Sequence, residues 1–564
     1  INRMNRETEL HFSGVPQVHK PRSKMVIPHD LLTSWDTGQL IPIFVDPDIT
    51  PGDSIKMKMA SVIRMATPLY PIFGNIVADI MFYFVPYRLV WENWKEFWGE
   101  STNSWYQTQE YLVPQLVAGK SGSYAVVQPK SLADYMGIPT IPAATATGHA
   151  FSALPFRAYC KIWNDWFKSE PLQQDVPFPT DDRDKGYSNS ITAQGGPVLK
   201  ANKLMDYFSG ALPQPQAGPT VTMPLGTYAP VTSRTTDIDP TKLHETMTSL
   251  HWAQSATPYA FTDQTRYPVM ARYRAATEDF TTGVRDSDAV DTNAHTMGIV
   301  PSNLWADLTV ATAASINSIR TAFQVQKFYE ARARGGNRYI EIIKSIFGVT
   351  SPDARLQRSE YIGGKRIPVN IQTVLQTSST DSTSPQGNTG AYSHTADSDT
   401  LFTHSFTEHG VLIGLICCRY YHSFDQGTPK GFLRRKWTDF YNPIFASLGE
   451  QPIEVQELYT TGTSTDTEVF GYQEAWAGGY RYHPNTATGE MRTTYAQTLD
   501  SWHLADHYTS QPSLGSSWIQ EDKTNVDRTL AVTSQNQFFG DFYFRPVYTR
   551  VMPLYSVPGL IDHF

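Results

Sequence analysis

Apolar and polar positions follow two different patterns within the first hundred residues, and the contrast predicts two kinds of strand. After Pro51-Gly52-Asp53, the apolar Ile55, Met57 and Met59 alternate with Lys56 and Lys58. A period of two marks a strand with one face on a core and the other in water. Ile80 to Val85 is instead continuously apolar and aromatic, which predicts a strand covered on both faces. The Pro-Gly-Asp triplet is turn chemistry: proline presets φ, glycine accepts positive φ, and aspartate can bond to its own backbone. Further on, Val90, Trp91, Trp94, Phe97 and Trp98 fall on one helical face, with Gly99 as its stop. No catalytic group stands out between residues 42 and 100, so this segment reads as part of a structural building block.

The rest of the chain adds strands at its far end and helices between. Phe156, Tyr159, Cys160, Trp163 and Phe167 follow helical spacing, which predicts a second aromatic helix over 156–168 with Pro171 beyond its end. From about Gly210 to Trp305 prolines appear amid Thr, Ala and Ser, and regular periodicity fades. A structureless stretch of that length inside a compact domain is usually functional. Helical spacing returns with Ile316, Ile319 and Phe323, and again with Ile340, Ile343 and Phe347, interrupted by Gly335-Gly336. Thr377 to Thr400 reads as a low-complexity loop. Strand signals then dominate: 411–421, 469–472, 529–533, 538–544 and 547–555. A sheet whose strands come from both ends of the chain is what a jelly roll requires. The fold class is therefore mainly β, an antiparallel β-sandwich with large helical and loop insertions.

Composition sharpens this picture without changing it. A chain of 564 residues with 40% hydrophobic and 13% aromatic content has ample material for a core. The 38 prolines and 37 glycines imply many turns and elaborated loops. With a net charge of −8 there is no global basic signal for nucleic acid, so any such contact is local. Between 315 and 370 ten cations face four acids, whereas between 232 and 310 ten acids face six cations. Three cysteines, two of them the adjacent Cys417-Cys418, suit a reducing compartment better than a disulfide framework. The longest apolar runs fall well short of the ~20 residues that cross a bilayer. Residues up to Lys24 carry several cations and few apolar side chains and read as an extended arm, bounded here at 1–40. The first residue is Ile1 rather than methionine, which leaves a missing or cleaved leader open.

Residues 42–100 closely resemble the major capsid proteins of the Microviridae, specifically the gokushovirus branch of single-stranded DNA phages. So do SLADYMGIP (131–139), LPFRAYCKIWNDWF (154–167), GGNRYIEIIKSIFGVTSPDARL (335–356), FTEHGVLIG (406–414), FGYQEAW (470–476) and YSVPGLIDHF (555–564). These segments span nearly the whole chain in the family's order. The resemblance implies one eight-stranded antiparallel viral jelly roll over 1–564, with a variable insertion at 210–305 building a surface protrusion at the three-fold axes. It also implies identical subunits in a T=1 icosahedral shell around circular single-stranded DNA, in a virion assembled in the host bacterial cytoplasm. The implied partners are further copies of the chain, the genome, a small basic DNA-binding virion protein and a host cell-surface receptor met by the insertion. No enzyme activity, cofactor or metal is implied.

The residues themselves offer little rival chemistry. Gly119-Lys120-Ser121 resembles the tail of a phosphate-binding loop, but Pro114 stands where that loop needs glycine. His244-Glu245 opens a zinc-protease pattern that Thr248 breaks. His404, His409 and His422 near the cysteines fit no closed tetrahedral spacing. Paired carboxylates such as Glu454 with Glu457, or Asp181 with Asp182, carry weight only in a pocket. A carbohydrate-active jelly-roll enzyme or a lectin-like binder stays open on these grounds, although the tryptophans cluster at helical spacing, which favours burial over sugar stacking. A shell around DNA needs sequence-independent phosphate neutralisation. The candidates for single-stranded DNA contact are therefore Arg3, Arg6, Arg22, Lys24, Arg332, Arg334 and Arg338, with Lys430, Arg434, Arg435 and Lys436, interleaved with Phe432 and Trp437, as a weaker patch. Ion pairing with acidic neighbours is an equal alternative for any one of them.

Overall fold

A computed structural model describes residues 22–98, 100, 110–140, 143–219, 357–378, 380, 385–492 and 499–555, together with the helix Ile316–Gly335 and short strands between 231 and 306. Nine strands make the sandwich: β1 (Ser23–Val26), β2 (His29–Trp35), β3 (Ile41–Ile49), β4 (Ser54–Met65), β5 (Ile76–Pro86), β6 (Glu360–Pro368), β7 (Thr395–Ser405), β8 (Gly410–Tyr420) and β9 (Phe538–Arg550). One sheet runs β1-β9-β4-β7, with β2 following β1 along the same partner, β9. The other runs β6-β5-β8-β3. All pairings are antiparallel. The chain crosses between sheets from β2 to β3, β3 to β4, β4 to β5, β6 to β7, β7 to β8 and β8 to β9. That winding is a jelly roll, and the mainly β sandwich expected from the sequence is what the chain forms.

The two hydrophobic patterns land where their periods put them. Along β4, Ile55, Met57, Met59, Ile63 and Met65 are buried while Lys56, Lys58 and Arg64 are exposed. Each apolar side chain so buried contributes roughly 1.5–3 kcal/mol. They meet Phe82, Phe402, Phe542 and Phe544 in the core between the sheets. β5 is buried almost throughout, because its other face carries a second core. There Tyr83 and Val85 of β5 and Val411, Ile413, Leu415 and Cys417 of β8 pack with the helical layer of residues 154–163. The turn that leads into β4 also forms as expected. Asp53 N donates to Thr50 O at 3.1 Å and Gly52 takes φ of 92°, the conformation a type II turn requires after proline. Asp53 is fully buried, accepting from Thr50 N at 3.1 Å and from Arg550 Nε of β9 at 3.0 Å.

Several expectations change in detail. The aromatic run at 90–98 is not one helix: a 3-10 turn at Tyr87–Leu89 is followed by one helical turn, α1 (Trp94–Phe97). Val90 and Trp91 are buried, whereas Phe97 and Trp98 are largely exposed, so the stripe runs from core to surface. Gly99 lies outside the described residues. After the single turn α2 (Leu132–Tyr135), the second aromatic helix forms as α3 (Leu154–Ile162), continuing as one π-helical turn, Trp163–Phe167. Tyr159, buried in α3, donates to Leu40 O at 2.8 Å and accepts from Leu199 N at 3.0 Å, tying the helix to the sheet edge.

The segments 538–544 and 547–555, expected as two strands, are one strand that runs through Pro546 and ends at Arg550, short of 551–555. The missing N–H of Pro546 faces the side on which the neighbouring strand is itself interrupted, at Ile27-Pro28 between β1 and β2. Thr529 to Thr533 is not a strand. The stretch 377–400 holds strand Thr389–Ser393, paired with Ile371–Leu375, and the start of β7. Within the expected arm 1–40, residues 23–35 are extended, but they lie in the first sheet against β9.

Two compact units are distinguished, residues 1–217 with 332–564, and residues 218–331. Inside the second, Val231–Ser233 pairs with Leu304–Ala306, Trp252–Gln254 with Ile299–Pro301, and Met270–Arg274 with Asp279–Gly283, all antiparallel. The inner two pairs share one register, so this part of the 210–305 window is a nested hairpin rather than an irregular loop. Strands of three to five residues are too short to leave a readable period of two. The helix α4 (Ile316–Gly335) forms where helical spacing returned and ends at Gly335, whereas 336–356 lies outside the described residues.

Candidate nucleic-acid interface

The register of the first sheet builds a cationic patch that no single stretch of sequence displays, on an outer face that also carries Asp30 and Asp541. Directly paired residues share a face. Lys58 of β4 pairs with Arg545 of β9, Lys56 with Val547, and Thr549 of β9 joins Ser54 on one side to Lys24 of β1 on the other. Lys24, Lys56, Lys58 and Arg545 therefore stand on the outer surface of one sheet, all exposed. Tyr543 and Phe539 of β9 lie on the same face, 43% and 37% exposed. None of the four cations makes an ion pair among the described residues. Adjacent strands lie about 4.8 Å apart and alternate residues of one strand about 6.7 Å apart, so four positive charges share one patch.

The other candidates are dispersed. Arg3, Arg6 and Arg338 lie outside the described residues. Arg22 is exposed beside β1, within reach of Gly52. Arg332 and Arg334 are in the last turn of α4, and the Arg334 guanidinium is engaged, with Nε 2.5 Å from the buried Glu450 carboxylate. Of the weaker patch, Lys430 Nζ is 2.7 Å from Glu457 and Arg434 donates to Gly478 O at 2.9 Å, whereas Arg435 and Lys436 are exposed. Thus Lys24 joins a constellation, and Arg334 serves as a structural tie. Arg545 was missed because its significance depends on pairing with a residue 487 positions away; the signal available in sequence was its place in an alternating run, Phe542-Tyr543-Phe544-Arg545.

Those groups raised for other chemistry that lie among the described residues are engaged in the fold, whereas His244-Glu245 lies outside them. Cys417 and Cys418 are free, and as strand neighbours they face opposite cores, Cys417 outward with Leu415 and Cys418 inward, where its sulfur accepts from Trp35 Nε1 at 3.4 Å. Burial pushes the Cys417 thiol up to about 12, far from reactivity. Glu457 is buried with Tyr207 and Lys430, and Asp182 accepts from Trp91 Nε1. His409 stacks on Trp98, and His404 faces Glu360 at 3.7 Å. Among the described residues no group of three His, Cys, Asp or Glu is placed to hold a metal ion.

His422 is the centre of a buried polar network. Its Nδ1 lies 2.9 Å from Asp506, its Nε2 lies 3.2 Å from Glu521, and Lys203 reaches Asp506 at 3.2 Å. Burial would push the imidazole down, but Asp506 and then Glu521 override it and raise it to about 9. The imidazolium and Lys203 balance the two carboxylates. An open cleft of about 370 Å³ between β2, β3 and α2 holds a single carboxylate, Asp134, which accepts from Lys130 N. A glycosidic site needs a facing pair.

Comparison with known proteins assigns the class. A family described as "Capsid protein (F protein)" matches residues 13–560. Capsid protein VP1 of Spiroplasma virus 4 is 38% identical over 563 residues, covering 97% of each chain. Capsid protein VP1 of Bdellovibrio phage phiMH2K is 38% identical over 565 residues and 99% of each, and that of Chlamydia phage 1 is 35% identical over 599 residues and 97% of each. The chain belongs to this family of phage capsid proteins. Within it the likeness is to the gokushovirus-type major capsid proteins of the Microviridae, so the chain is a structural virion component and not an enzyme. No helix among the described residues is long and apolar enough to cross a membrane.

Proposed function

We propose that this chain assembles, as identical copies, into a T=1 icosahedral shell around circular single-stranded DNA, inside the host bacterial cytoplasm. The observation that carries the reading is the cationic patch on the outer face of the first sheet, in a jelly roll that is related to phage capsid proteins along nearly its whole length. Lys24, Lys56, Lys58 and Arg545 neutralise backbone phosphates there without reading sequence, and Tyr543 offers a ring on which an unpaired base stacks. Arg3, Arg6, Arg22, Arg332 and Arg338 extend the contact, with Arg334 held back by Glu450. A small basic virion protein supplies further neutralisation, since a subunit with net charge −8 carries no global excess of cations. The insertion 210–305, with its nested hairpin, is the surface protrusion at the three-fold axis that meets a host receptor.

Electron microscopy and sedimentation of the purified chain test the assembly: closed particles are expected, and a stable monomer under every packaging condition overturns it. The affinity of the unassembled chain for single-stranded DNA should fall with salt at a log–log slope near −0.7 per phosphate contact. A flat response removes the DNA-facing role of the sheet. Replacing residues 231–306 by a short linker should leave particles intact and abolish attachment.

A further inference from the structure

The segment from Lys430 to Leu448 exposes more apolar surface than any other part of the described chain. Phe432 and Ile444 are each 84% exposed, Trp437 71%, Phe440 51%, Tyr441 48% and Leu448 45%. With aromatic side chains of about 150–250 Å² each and slightly smaller aliphatic ones, this leaves on the order of 700 Å² of apolar side chain open within nineteen residues. Each partner in a standard protein interface contributes about 800 Å².

The backbone beneath these side chains is tethered. Trp476 Nε1 donates to Phe445 O at 2.8 Å, Tyr441 N donates to Tyr480 Oη at 3.0 Å, and Arg434 donates to Gly478 O while its guanidinium lies 4.1 Å over the Tyr480 ring. The rings are thus presented on a fixed support, and little ordering entropy is lost when they are covered.

We infer that this segment is a contact by which one copy of the chain docks on a second copy. The inference rests on the shell-forming function proposed above and assigns one surface to it. Three observations select the occupant. Open aromatic surface with an exposed arginine, Arg435, in the same segment is the composition of protein interfaces. Of the segment's four cations, Arg435 and Lys436 are exposed, on a chain of net charge −8, so the surface of another copy is electrostatically complementary. A nucleic acid fits less well: Lys430 and Arg434 are already engaged within the subunit, and Ile444 and Leu448 offer no ring on which a base stacks.

The test compares the parent chain with the double variant Trp437→Ala/Ile444→Ala and with Ile444→Cys. Both double-variant positions are exposed, so its circular dichroism and melting temperature should match the parent. Its assembly threshold should rise at least tenfold in protein concentration, and an unchanged threshold overturns the inference. Because the three native cysteines are buried, a maleimide added to Ile444→Cys reports that position alone. It should react fully in the unassembled chain and at least tenfold more slowly in particles; equal rates overturn the contact. Loss of single-stranded DNA binding with normal assembly would make nucleic acid the occupant and also overturn it. If the parent forms no particles, the shell reading fails separately. The contact then stands if concentrated parent forms oligomers that the double variant does not, and falls if the parent stays monomeric.

Discussion

The two sheets of the sandwich share one core but differ on their outer faces, and the difference separates what the fold requires from what the surface is free to do. On the second sheet β5 and β8 are buried front and back, with the sandwich core on one side and the α3 layer on the other. On the first sheet only the inner face is committed, and the outer face carries Lys24, Lys56, Lys58 and Arg545. A polar group on the second sheet must therefore bring its own partners. Asp79 of β5 does so: it is 4% exposed and held by Arg366 of β6 at 2.5 Å and by Arg419 of β8. Burial would push its carboxyl up, but the two guanidiniums override that and hold it below the ordinary range.

The largest effect is expected from a charge placed on the second sheet. Leu415→Asp, with no partner between the second sheet and the helical layer, should cost more than about 4 kcal/mol and abolish soluble expression. Soluble, assembly-competent protein would show that the α3 layer is not a core. The next largest effect is expected for Asp79→Ala, which strands two cations on the same sheet and should cost about 2–4 kcal/mol, read as a lower urea midpoint. The parent's Asp79 contribution is present above the unfolded carboxylate range and is lost as pH falls through its lower folded value, so the gap between parent and variant should narrow in acid.

A smaller effect, opposite in sign with pH, is expected just beyond β8, where Tyr420 packs on His422 at 4.3 Å between ring centres. Because the folded value of His422 is about 9 and the unfolded one near 6.5, its contribution is complete below about 6.5. It is lost as pH rises through about 9. Melting temperature of the parent should fall over that window relative to His422→Gln, and parallel curves would show that Asp506 and Glu521 do not hold an imidazolium. The smallest effect is expected on the open face: Lys58→Ala should change stability by no more than about 0.5 kcal/mol. The same substitution should reduce the salt slope of single-stranded DNA binding by about 0.7.

Much of this contrast was legible in the order of residues. The alternation Ile55-Lys56-Met57-Lys58-Met59 and the run from Ile80 to Val85 each report how many faces of a strand are covered, because side chains alternate along a strand whatever it pairs with. The Thr50–Asp53 turn, α3 and the stop of α4 at Gly335 were readable for the same reason: their determinants lie within a few residues. β6 and β7 were not legible. They are the edge strands opposite β2 and β3, much of their surface is exposed, and the stretch containing the start of β7 is rich in Ser, Thr and Asp. β9 was read as two pieces because proline ordinarily ends a strand, and only the gap between β1 and β2 shows why Pro546 is tolerated.

The order of residues thus carried those local elements whose determinants lie close together, the two burial regimes and the family, since each is written in spacing or in motifs along the chain. Which residues meet was settled by the fold. Arg545 faces Lys58, Cys417 and Cys418 point into different cores, His422 sits between Asp506 and Glu521, and the aromatics of 430–448 are held out on a tethered support. Each of these depends on the register of segments tens to hundreds of residues apart. That register is set by the packing of whole faces, and no local pattern encodes it.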